Sequence, residues 1–130
     1  MLGLSIRQPW VDAILYHGKN IENRTWRTNY RGLIFLHASK NICGQDDFDF
    51  VESTSKISLP PRTEIQTGGI VGVATLVDCV TEYDSPWFFG PYGFVLEQVK
   101  PVQFIPLRGR QSLFETGIQP DQIELLKEAA

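Results

Sequence analysis

Apolar and polar residues alternate in the opening "LSIR": Leu4 and Ile6 point one way, Ser5 and Arg7 the other, as in a short strand with one buried face. The period then lengthens. In "QPWVDAILYHG", Trp10, Val11, Ile14 and Leu15 fall at helical spacing and predict a helix with one apolar stripe. Pro9 suits the first helical position, where a missing N–H costs nothing, and Gly18 is a natural stop. The next segment, "NIENRTW", returns to a period of two. Ile21 faces the core, while Glu22, Arg24 and Trp26 share the opposite face.

Farther on, "GLIFLHAS" and "IVGVATLVDCV" are apolar at successive positions and predict strands buried on both faces. Between them, "FDFVES" reads as a short acidic helix, and Pro60, Pro61, Gly68 and Gly69 punctuate a loop. The glycines of "FFGPYG" mark a turn before the strand "FVLEQVKPV". Gly109 sits in the basic turn of "FIPLRGRQSLFE", and "PDQIELLKEAA" reads as a short terminal helix. This order of elements predicts an α+β fold, a mixed sheet closing into a small β-barrel with peripheral helices. The length of 130 residues fits a single domain, 1–130, with a real core.

Composition narrows the class. No apolar run approaches the length that spans a bilayer. The N-terminus lacks a signal-peptide pattern, so the expected location is cytoplasmic, away from membranes. Cys43 and Cys79 are the only cysteines and form no C-x-x-C pair. With His17 and His37 as the only imidazoles, no structural zinc site is expected, and Cys79 reads as a small core residue.

The net charge of −3 argues against a protein that coats nucleic acid indiscriminately, but the charge is unevenly placed. Between Lys19 and Lys40, the cations Lys19, Arg24, Arg27, Arg31 and Lys40 meet only Glu22. Lys100, Arg108 and Arg110 form a second basic segment, and the two would make one patch if the fold joined them.

Lys19, Glu22 and Arg24 have a bland reading, since a surface Lys–Glu or Arg–Glu pair contributes about 0–1 kcal/mol and most charged strand faces are merely solvated. The functional reading has Lys19 and Arg24 binding an anion while Glu22 orients them or accepts from a base edge. A carboxylate between two cations stays ionised, which makes it a base or an orienter and a poor general acid. Trp26 and Tyr30, beside Arg27 and Arg31, offer stacking and cation–π faces, although strand aromatics are commonly core. Ser5 is the nearest nucleophile, but no Ser-His-Asp set or G-x-S-x-G elbow accompanies it, and His37 reads as a satisfied core histidine. No glycine-rich phosphate loop or dinucleotide fingerprint is present, so no cofactor is expected.

The ordered segments "LSIRQPW", "HGKNIENRTWRTNYRGLIFLHAS", "GGIVGVATLVDCV", "PYGFVLEQVKPV" and "LRGRQSLFE" resemble the ASCH domain family, whose barrel is similar to the PUA domain. Its signature, G-x-K-x-x-E-x-R, is matched by Lys19, Glu22 and Arg24, while His17 stands at the glycine position and Gly18 follows one residue later. The resemblance implies a PUA-like barrel with a cleft beside the first helix, lined by the signature residues and by Ser5, Arg7 and Gln8. It also implies a ligand that is RNA, single-stranded nucleic acid or a nucleotide. With Trp26 and Arg27 added from the aromatic and charge pattern, the expected ligand-binding residues are Ser5, Arg7, Lys19, Glu22, Arg24, Trp26 and Arg27.

Two alternatives accompany it. A subgroup resembling this fold hydrolyses an acetyl amide on N4-acetylcytidine with a lysine, a threonine nucleophile and a glutamate. The lysine matches Lys19, but Glu22 occupies the threonine's position, and a carboxylate does not replace an attacking alkoxide. Ribonuclease activity is associated with related domains, and in an enzyme here Lys19 and Glu22 would be the catalytic candidates. Other members are modules of transcription coactivators, which implies an interaction role. For that role "DSPWFFGPY" would offer an aromatic surface, although Trp87, Phe88 and Phe89 read as packing residues.

Overall fold

The computed structural model describes residues 1–126. Its strands are β1 (Leu2–Ile6), β2 (Ile21–Arg24), β3 (Gly32–Ala38), β4 (Gly69–Val80), β5 (Tyr92–Pro106) and β6 (Leu113–Glu115). The helices are α1 (Trp10–Tyr16) and α2 (Gln45–Ser55), with a 3-10 turn at Pro120–Gln122. All six strands join one sheet in the order β2-β5-β4-β3-β1-β6. Only the β1–β3 pair is parallel, so the sheet is mixed. Register shifts along β4 and β5 let these long strands bend, and the sheet curls into a half-barrel. The expected α+β barrel architecture is therefore present. Among the described residues no helix is long and apolar enough to cross a membrane.

The apolar pattern dictates the packing. Ile34 and Leu36 of β3 face inward with Leu4, Ile6, Leu76 and Phe94, and α1 covers them with Val11 and Ile14. Phe35, between them, points to the opposite face and packs with Ile70, Val73 and Val102. This two-sided burial is why β3 and β4 read as continuous apolar runs. A third cluster, Ala13, Ile21, Val51, Trp87 and Val95, seats α2. Trp87 is buried there as expected, whereas Phe89 is exposed.

Helix α1 is short and relies on tertiary support. Gln8 is fully buried: its Oε1 accepts from the Asp12 backbone N–H at 3.0 Å, and its Nε2 donates to Asp12 Oδ1 at 2.8 Å. Gln8 therefore caps the helix instead of facing the cleft, as the resemblance had implied. At the other end Gly18 has φ +79°, a left-handed turn that lets the Lys19 N–H return to the Ala13 carbonyl at 3.1 Å. That turn drives the Lys19 side chain inward.

Three local expectations differ. The acidic helix α2 is longer than "FDFVES", because it begins at Gln45. Strand β2 ends at Arg24, so Trp26 lies beyond it. The terminal helix is, through residue 126, a single 3-10 turn followed by a bridge from Leu125 to Val102, and residues 127–130 lie outside the described residues. Ile123 packs on an outer sheet face while Leu125 and Leu126 stay exposed, so the segment follows the sheet edge as an extended chain and buries no helical stripe.

Candidate functional site

A cleft of about 810 Å³ lies where the curled sheet brings distant segments together. Its walls are the end of β1, the first residue of α1, β2 with the turn after it, the segment following β3, and the turn between β5 and β6. Of the residues singled out in the sequence, Ser5, Arg7, Glu22, Arg24 and Trp26 line it. Arg108 and Arg110 reach the same cleft, so the two basic segments do meet, but Lys100 is not on its wall. Arg27 lies apart, in a shallower hollow with Cys79 and Tyr92. Arg31 pairs with Asp78 at 3.6 Å.

Lys19 lies beneath the cleft. Its side chain is 1% exposed. The ammonium donates to the Ile21 carbonyl and to Glu22 Oε1 at 2.8 Å, and it stands 5.8 Å from the centre of the Trp10 ring. Carbonyl, carboxylate and ring face together surround it, leaving little of this charge for a ligand. Glu22 joins Lys19 to Arg24, whose Nη2 donates to Glu22 Oε2 at 2.9 Å. Burial pushes the Glu22 carboxyl up, but the Lys19 and Arg24 charges and hydrogen bonds outweigh it and hold its pKa below the ordinary value. Glu22 is thus an ionised acceptor.

Arg24 Nη2 also donates to the Ser5 carbonyl at 3.0 Å. This contact joins β2, at one end of the sheet order, to β1 near the other, and fastens the curl across its open side. Arg24 Nε remains buried without a hydrogen-bond partner, the one such side-chain atom among the described residues. A buried donor left unpaired costs about 1–3 kcal/mol, which an acceptor on a ligand would relieve.

The lining is strongly positive. Arg7, Arg24, Lys40, Arg108 and Arg110 face the carboxylate of Glu22. Trp26 contributes an aromatic wall held edge-on against Phe94, ring centres 5.0 Å apart. On the other face of β2, Asn23 accepts from the Phe89 and Gly90 N–H groups at 2.8 and 3.0 Å and pins the aromatic turn away from the cleft.

His37, Lys40 and Cys43 also line the cleft. Lys40 was visible as part of a basic segment, but nothing local marked His37 or Cys43. His37 is buried and hydrogen-bonded, as a core histidine would be, and it also reaches the cleft wall. Burial and the neighbouring Asp47 push the Cys43 thiol up, so it stays protonated near neutral pH. No group of three or more His, Cys, Asp or Glu side chains among the described residues could hold a metal ion.

Comparison with known proteins places these features in a family. The ASCH domain profile matches residues 4–103, which include every wall of the cleft except the β5–β6 turn. Human (Homo sapiens) Activating signal cointegrator 1 is 24% identical over 103 residues, covering 66% of this chain and 18% of that protein. Its mouse (Mus musculus) counterpart is 24% identical over 83 residues, covering 61% and 14%. The match thus spans less than a fifth of either relative's length. With the profile running from β1 through most of β5, the chain belongs to the ASCH domain family.

Proposed function

We propose that the cleft binds single-stranded nucleic acid, RNA in particular, or a nucleotide. The observation that carries this reading is a cleft lined by five cations, one of which, Arg24, keeps a buried guanidinium donor, Nε, without a hydrogen-bond partner. Arg7, Lys40, Arg108 and Arg110 hold phosphates, and Arg24 donates to a phosphate oxygen or a base carbonyl. Trp26 stacks a base. Lys19 acts from below, through Glu22, to fix Arg24. Membership of the ASCH family supports a nucleic-acid-binding type of domain.

Binding of a fluorescent single-stranded RNA measured across salt concentrations tests the reading. With about three to five phosphates neutralised, log K falls against log salt with a slope of roughly −2 to −4. Trp26→Ala weakens binding by about 1–3 kcal/mol and leaves that slope nearly unchanged, because stacking releases no counterions. Salt-independent binding would count against the proposal.

The relatives' name, a signal cointegrator, supports a second reading as an interaction module. Partners that stay bound to the chain after nuclease treatment would favour it over nucleic-acid binding.

A further inference from the structure

The wall of the cleft holds a pair of side chains that binding alone does not use. The parallel register of β1 and β3 sets Ser5 opposite His37. Ser5 Oγ lies 3.0 Å from His37 Nδ1, and His37 Nε2 lies 2.6 Å from the Leu107 carbonyl oxygen. A carbonyl only accepts, so Nε2 carries the proton and donates to it. Nδ1 is then the unprotonated nitrogen, and it accepts from the Ser5 hydroxyl. This is the arrangement of a nucleophile, a base and a group that orients the base.

Two neighbours add to it. Arg24 already reaches the Ser5 backbone carbonyl, and its side chain lines the same cleft. Gly109 packs directly on the pair: a Cβ there would stand 2.7 Å from His37 Cε1 and 2.8 Å from Ser5 Oγ. Only glycine lets the backbone come this close without displacing either side chain.

We infer that Ser5 and His37 form a nucleophile–base dyad that hydrolyses a carboxylic ester carried by a phosphorylated molecule such as an acylated nucleotide. The inference rests on the cleft's binding of anions, which would hold the phosphate. Ser5 Oγ attacks the ester carbonyl carbon while its proton passes to His37 Nδ1. The carbonyl electron pair becomes an oxyanion on the side of the Arg24 guanidinium. When it collapses, the carbon–oxygen bond to the alcohol breaks, and the alcohol leaves with the proton from Nδ1. Water then attacks the acyl-serine, giving one proton to Nδ1, and the carboxylic acid departs as Ser5 recovers that proton. An ester fits better than an amide. The imidazole is oriented by a neutral carbonyl and not by a carboxylate, so the imidazolium formed gains less support and a better leaving group is needed.

The test has two arms on the full chain. In the first, a small alkyl fluorophosphonate is added and the intact protein is weighed, then digested. One phosphonyl group on Ser5 is expected, with labelling slowed about 100-fold or more in His37→Asn, which keeps a polar partner but lacks the base. In the second, hydrolysis of 2′(3′)-O-acetyl adenosine monophosphate is followed chromatographically. Turnover should fall by about 100-fold or more in Ser5→Ala, and also in Gly109→Ala, which retains both reactive side chains but crowds them. Wild-type protein that is neither labelled at Ser5 nor turns over the ester would overturn the inference, as would labelling unaffected in a folded His37→Asn protein. The phosphonate needs no phosphate site, so labelling without RNA binding refutes only the binding proposal. RNA binding without labelling or turnover refutes only the dyad.

Discussion

Replacing Glu22 by alanine will lower the stability of the domain by about 3–5 kcal/mol, the usual cost of leaving a buried charge without its partner. Two buried or half-buried cations lose their shared counter-charge at once. Lys19 keeps only the Ile21 carbonyl and the Trp10 ring, and Arg24 keeps only the Ser5 carbonyl, without the carboxylate that orients its guanidinium toward it. Urea unfolding at about pH 7 measures the loss directly.

The same carboxylate predicts an acid limb. Its folded-state pKa lies below the ordinary value of 4.5, so the stability it contributes is fully present above that value. It is lost as the pH falls through the lowered folded value. Glu22→Gln keeps the shape, loses stability near neutral pH and flattens this limb in a melting series. A wild-type profile unchanged by Glu22→Gln would mean that the cluster adds no stability.

The second large effect is on binding. Arg108→Ala with Arg110→Ala removes two of the five cleft cations while leaving the buried cluster intact. Each lost phosphate contact on a single strand makes the salt slope shallower by about 0.7, so the double variant should lose about 1.4. At about 0.1 M salt this corresponds to affinity lower by on the order of 10-fold. Both residues are exposed turn positions, so the melting temperature should hold steady. A slope equal to that of the wild type would place the phosphates elsewhere.

Much of the site was legible because its signals are local. Strand periodicity put Leu4 and Ile6 against Ser5 and Arg7, and Ile21 against Glu22 and Arg24, and the cleft uses those faces. Lys19 was harder. Whether a lysine is a free cation or a buried one depends on the Trp10 ring and on the turn at Gly18, neither of which spacing reveals. Arg27 groups with Arg24 by charge, but it falls off the two-residue period of Glu22, Arg24 and Trp26, the strand stops at Arg24, and Arg27 lies on another surface. Ser5 and His37 meet only because β1 and β3 pair in parallel, 32 residues apart in sequence, so no short motif announces them. The terminal segment misled for a related reason: its apolar spacing suits a helix, but the chain bridges to Val102 in an extended form that packs Ile123 and leaves Leu125 and Leu126 exposed.

If the cleft is the binding site, ligand enters between β1, β2 and the β5–β6 turn. Backbone amide NMR shifts, recorded as a short single-stranded RNA is titrated in, test it most directly. Changes are expected at Ser5 and Arg7, at Thr25 and Trp26, at Lys40 and Asn41, and along Arg108–Ser112, with Thr81 and Glu82 beside Arg27 unmoved. Shifts gathered instead around Arg27, Cys79 and Tyr92, with the cleft amides still, would contradict it.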